Sequence, residues 1–168
     1  MDLFCIREQI MQKNSLMKGL VGISFALFAT ANFAATPEGF WKSIDDRTGE
    51  QLSIVEIKKK PDNTYTGTIV YRYQVPGGGT VLTNCVKCPE PFKNKPILGL
   101  QIASGLREDP KNPNHYIDGK VLEPKTGNVY KGKAQLSADG KRLRMRGYMG
   151  ISALGRTQVW IRTDSANP

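Results

Sequence analysis

The sequence predicts an all-β protein: an eight-stranded antiparallel meander that closes into a barrel. Three observations carry that expectation. After residue 34 no stretch sustains a helical period, and 17 Gly with 10 Pro in 168 residues point to many turns. Eight short runs rich in β-branched and aromatic residues are separated by turn-forming clusters. The last four runs are joined by connections of hairpin length. A single open sheet of that width leaves two unpaired edges, and closure removes them. A β-sandwich is the competing architecture for the same strand count.

The first strand is expected over residues 39–44. The cluster Asp45-Asp46-Arg47-Thr48-Gly49 ends it as a turn that side-chain oxygens cap locally; an acid pair or cation loop at Asp45 and Asp46 is the other reading. Residues 52–59 alternate Leu52 and Ile54 with Ser53 and Val55 and end in lysines. Pro61-Asp62-Asn63 then turns the chain into a third strand over 65–73. Gly77-Gly78-Gly79 marks a loop, and residues 97–106 form a fourth strand containing two glycines. Strands follow over 116–122, 128–136, 142–149 and 156–162. Their links are Pro124-Lys125-Thr126-Gly127, Ala138-Asp139-Gly140 and Ala153-Leu154-Gly155.

Alternation in 142–149 puts Leu143, Met145, Gly147 and Met149 on one face, with Arg142, Arg144, Arg146 and Tyr148 on the other. In the last strand Arg156, Gln158, Trp160 and Arg162 oppose Thr157, Val159 and Ile161. A face joining Trp and Gln to arginines fits a lined cavity, and equally an outer surface on which the Trp lies flat beneath an arginine.

Ahead of the barrel, no charged residue occurs from Gly19 to Pro37, and Lys18 stands just before that stretch. Its apolar heart, Leu20 to Phe28, is shorter than the roughly 20 residues that span a bilayer. A basic residue, a short apolar run and small residues at its end predict a signal peptide over residues 1–34. Ala34, or the Ala29-Thr30-Ala31 pattern, ends it; Met11 and Met17 are alternative starts. The expected product is a periplasmic single domain over 35–168 that is not an integral membrane protein. Cleavage removes Arg7, Lys13 and Lys18 with Asp2 and Glu8, so all but one unit of the +9 net charge stays. Outside the cytoplasm that charge points to anionic envelope components rather than nucleic acid.

Cys85 and Cys88 are the only cysteines after residue 34. In an oxidising compartment their spacing reads as a structural disulfide, closing a ring that stabilises by about 2 kcal/mol. A redox dithiol and half a zinc site are the other readings. Pro89 and Pro91 oppose the helix that activates a redox thiol, and His115 is the one further soft ligand. Trp41, in Gly39-Phe40-Trp41, opens the first strand. If first and last strands pair, it meets Arg156 or Arg162 face to cation.

Several blocks together resemble a known family. They are Gly39-Phe40-Trp41-Lys42-Ser43-Ile44-Asp45-Asp46-Arg47-Thr48-Gly49, Cys85-x-x-Cys88, and Asp118-Gly119-Lys120-Val121-Leu122-Glu123-Pro124 with Gly127 and Tyr130. Arg146-Gly147-Tyr148-Met149-Gly150 leads into Gly155-Arg156-Thr157-Gln158-Val159-Trp160-Ile161-Arg162, the most specific block. The chain resembles the bacterial secreted family labelled domain of unknown function 2147 over nearly all of its part after the signal segment. The resemblance implies a small exported protein with a lipocalin-like, calycin-type barrel. It implies no activity and carries over no functional residue.

Chemistry is sparse. A single histidine removes most acid–base and metal schemes. Gly150 to Gly155 is one residue too long for a Gly-x-Ser-x-Gly elbow, and Gly77-Gly78-Gly79 lacks the Lys-Ser/Thr of a phosphate loop. No enzyme activity, cofactor or metal is expected. The expected function is binding of a small hydrophobic or amphipathic ligand by Arg146, Tyr148, Arg156, Gln158 and Trp160. Trp41, Asp45 and Arg162 are expected to be structural. On that reading Trp160→Ala spares the fold and Trp41→Ala does not. The alternative is a filled barrel that serves as an envelope interaction module through its basic surface.

Overall fold

The computed structural model describes residues 35–74 and 82–168. The expected signal segment and Gly77-Gly78-Gly79 lie outside them. Eight strands follow in chain order: β1 (Gly39–Ile44), β2 (Gln51–Lys59), β3 (Tyr65–Arg72), β4 (Gln101–Glu108), β5 (His115–Glu123), β6 (Asn128–Leu136), β7 (Arg142–Tyr148) and β8 (Arg156–Thr163). Each pairs antiparallel with the next, and β8 pairs with β1, so the barrel is closed. That last pairing excludes the sandwich. Among the described residues the one helical turn is a 3-10 turn, Ser152–Leu154, and no helix is long and apolar enough to cross a membrane.

Only β4 departs by more than three residues from its expected start. Ile97 and Leu100 are buried like strand residues, but Leu100 N–H bonds back to the Ile97 carbonyl (3.1 Å), and Gly99 has φ +84°. That is a turn, and the strand begins at Gln101.

Residues directly opposite on neighbouring strands share a face, so the register traces rows along the inner wall. One row runs Leu136–Leu143–Trp160–Ser43–Ser53–Arg72 across six strands. A second runs Arg162–Trp41–Val55–Ile69. A third sets three glycines side by side, Gly119–Gly132–Gly147, and ends at Arg156. The glycine row is not empty space. A Cβ on Gly119 would lie 2.6 Å from Leu106, and one on Gly132 would lie 2.7 Å from Val121. Large neighbours lie flat across the bare backbone.

The barrel has two unlike ends. At the clasp end, the segment 35–38 crosses toward the last strand. The Trp41 indole N–H donates to the Pro37 carbonyl (2.8 Å), and Arg162 donates to the carbonyls of Thr36, Glu38 and Gly140 (2.6, 2.7 and 2.6 Å). At the loop end lie the β1–β2, β5–β6 and β7–β8 turns and the long β3–β4 connection. That connection sends Cys85, Cys88, Ile97 and Leu100 into the core cluster.

Candidate functional site

The clasp-end half of the interior is filled. Trp41, Val55, Leu106, Tyr116, Leu143, Met145 and Trp160 belong to one buried cluster that spans the barrel. Arg162 lies over the Trp41 ring, 4.2 Å from its centroid, so of the two expected cation partners Arg162 takes the place. Nearby, Tyr65 donates to Glu108 (2.6 Å) and stands edge-on to Tyr116, with centroids 5.3 Å apart. Burial first, then the Glu108 hydrogen bond, raises the Tyr65 hydroxyl above its ordinary range. Burial chiefly, with a smaller contribution from Tyr65, pushes Tyr116 up to about 12. Both phenols therefore stay neutral, Tyr65 as a donor to Glu108.

Toward the loop end the inner wall turns polar. Ser43 and Ser53 hydroxyls meet at 2.7 Å, and Gln158 lies one pair from Trp160, whose indole N–H reaches it at 3.4 Å. The Tyr130 hydroxyl donates to Glu123 (3.1 Å). Arg72 completes the row that begins at Leu136. Its Nη1 donates to the Leu82 carbonyl of the β3–β4 connection, and no carboxylate pairs with it among the described residues. Burial holds its guanidinium below the ordinary arginine value. A desolvated cation without a counter-ion is an anion or acceptor site in chemical terms.

The five expected ligand residues do not come together. Met145 is opposite Gln158 on the inner face, whereas Arg146 is opposite Thr157 on the outer face. Arg146 and Tyr148 therefore point out of the barrel, while Arg156, Gln158 and Trp160 point in. Arg146 is spent on local structure: Nε and Nη2 bond the Ser152 carbonyl (2.9 and 2.7 Å), and Nη1 bonds the Thr157 hydroxyl (2.7 Å). Arg156 grips the β1–β2 turn, its Nε 2.9 and 2.7 Å from the two Asp46 oxygens. The Arg156 bond holds the Asp46 carboxyl below its ordinary value. Trp160 is 1% exposed in the filled half, so it is a core residue and not a free cavity wall.

Other expectations meet direct counterparts. Asp45 accepts from the backbone of Arg47 and Thr48 (2.8 and 3.1 Å), the turn cap its position suggests. Cys85 and Cys88 are bridged. The bridge sits against the β5–β6 turn, with Cys85 Sγ 3.6 Å from the Pro124 carbonyl. Gly127, at φ +80°, leaves the Lys87 carbonyl room that any Cβ would take. Among the described residues no three His, Cys, Asp or Glu side chains gather as a metal site requires. Arg72 was missed by strict alternation because β3 carries one extra residue: Val55 is opposite Ile69, yet Ile54 is opposite Tyr71. That bulge turns Arg72 inward.

The comparisons agree with this architecture. A family model described as "Uncharacterized protein conserved in bacteria (DUF2147)" matches residues 39–162. Among solved structures the chain is similar to protein HP1028 from the human pathogen Helicobacter pylori, described as belonging to the lipocalin family. The identity is 18%, the TM-score 0.63, and the match covers 77% of this chain and 84% of that one. At that identity the likeness shows the fold alone. No curated protein matches the chain.

Proposed function

The chain belongs to the DUF2147 family of uncharacterized bacterial proteins, and from that premise we propose that it is an exported binding protein, not an enzyme. It takes a small amphipathic molecule at the loop end of its barrel, beside the β3–β4 connection whose Cys85, Cys88, Ile97 and Leu100 pack into the core. The observation that carries this reading is Arg72, turned inward by a bulge with no acid partner among the described residues. With Gln158 and the Ser43–Ser53 pair, it offers a polar head group a desolvated cation and neutral hydrogen-bonding groups. Ile69, in the adjoining row, is the apolar neighbour for the remainder. Because the clasp-end half is filled, the ligand is short or only partly enclosed. The uncharged run behind Lys18 supports export to the periplasm through a cleaved signal.

The filled half also supports a second reading, a ligand-free envelope module that works through its outer surface. Native mass spectrometry of the protein purified from its host separates the two. A co-purifying small mass that disappears in Arg72→Gln is the expected result. Protein that is ligand-free in every preparation favours the second reading.

A further inference from the structure

Large apolar side chains stand exposed around the loop end. In the β7–β8 turn Met149, Ile151 and Leu154 are 67%, 64% and 82% exposed, and Val86 and Leu98 of the β3–β4 connection are exposed too. The β7–β8 turn is a held structure. Arg146 binds the carbonyls of Ser152 and Ala153 from the barrel wall, and Ser152–Leu154 forms a 3-10 turn. The backbone is fixed while the side chains face water. An apolar rim of this kind marks a contact surface.

Behind that rim the outer wall is cationic. Lys120 is directly opposite Lys131, and Lys133 is directly opposite Arg146. Like charges in directly opposed positions destabilise a sheet. None of these four, nor Arg144 beside them, forms an ion pair among the described residues. Of the loop-end carboxylates, Asp46 is held by Arg156, Asp45, Glu50 and Glu123 accept local hydrogen bonds, and Glu90 is exposed; none pairs with these cations among the described residues. Val129, exposed at the loop end of β6, belongs to the same rim, and Lys131 lies two residues, about 7 Å at strand rise, behind it. Cations at that depth behind an apolar edge match a bilayer, whose phosphates lie above its acyl chains.

We propose that the loop end docks on an anionic phospholipid surface. Met149, Ile151 and Leu154 enter the head-group region, and Lys131 and Lys133 meet phosphates. External phosphates relieve the repulsion that the register builds into β5–β7. The docking stands independently of the ligand reading, since none of its residues faces the barrel interior.

Vesicle flotation with the full chain tests it, using phosphatidylcholine vesicles with and without phosphatidylglycerol. Wild type, Ile151→Ser/Leu154→Ser and Lys131→Glu/Lys133→Glu are compared, so any affinity from residues 1–34 is common to all three. Thermal melts check that each variant folds. Wild type is expected to favour the anionic vesicles, and each double variant to lose roughly tenfold or more in partitioning, the first through lost apolar insertion and the second through lost phosphate attraction. Equal partitioning of all three chains, or equal binding to both vesicle types, overturns the proposal. So does a dimer that only the Ile151→Ser/Leu154→Ser variant loses while vesicle binding is unchanged, because the rim then belongs to a second copy.

Discussion

Arg162 stacks on Trp41 and donates to three backbone carbonyls, two of them in the segment that precedes β1. A lysine keeps the charge but cannot reproduce that planar fork. Arg162→Lys is therefore expected to lower unfolding free energy by about 1.5–3 kcal/mol in urea titrations. Trp41→Ala and Trp160→Ala are both expected to cost about 3–5 kcal/mol, since both indoles are buried. The two tryptophans thus behave alike in stability, unlike the asymmetry that sequence alone suggested. A residue's neighbour across the sheet decides its environment, and single-strand alternation does not name that neighbour. Asp46 answers to pH. Its folded carboxyl titrates below the ordinary 3.8 because Arg156 bonds the ionised form. Its contribution is present above the unfolded value and is lost as pH falls through the folded one. The stability gap between wild type and Asp46→Asn should accordingly be full above about pH 5 and close under acid, as urea midpoints across pH would report.

Among elements, the glycine row on β5, β6 and β7 is the most constrained. A Cβ on Gly132 meets Val121 at 2.7 Å and has Gly119 backbone at 3.3 Å. Gly132→Ala is expected to destabilise by about 1–3 kcal/mol, the usual cost of overpacking. A paired Gly132→Ala/Val121→Ala variant should recover part of that loss, measurable as a positive coupling in a double-mutant cycle. Seven of the strands were legible to within three residues, because turn clusters with Gly, Asn and Asp bracket runs of β-branched and aromatic residues. The start of β4 was not, because Ile97 and Leu100 are buried in a turn and imitate strand alternation. The bulges were equally silent. Asp118 at φ +61° and Gly105 at φ +69° sit where the pairings of β5 and β4 slip by a residue. Such a slip changes which face every later residue occupies.

For the whole molecule, the closed barrel was legible and the interior site was not. Closure followed from strand count and from the two unpaired edges an open sheet would leave, and the Trp41–arginine contact followed from closure. The site depends on which residues share the inner wall near the loop end, and that sums the slips of several strands. Arg72 emerges only after they are counted. A chain ending after Asp164 is expected to fold as the full protein does, and one ending after Gly155 is not, as far-UV circular dichroism and protease resistance would show. The second lacks the strand that pairs with both β7 and β1. The clasp bond from Arg162 to Thr36 spans 126 residues. At roughly 5–20 residues per second of synthesis, its two ends are made about 6–25 s apart. Until β8 is made, any sheet the chain has formed keeps two bare edges, β1 waiting for a partner not yet made. Strand exchange between neighbouring nascent chains is open to it then, and ends when β8 arrives.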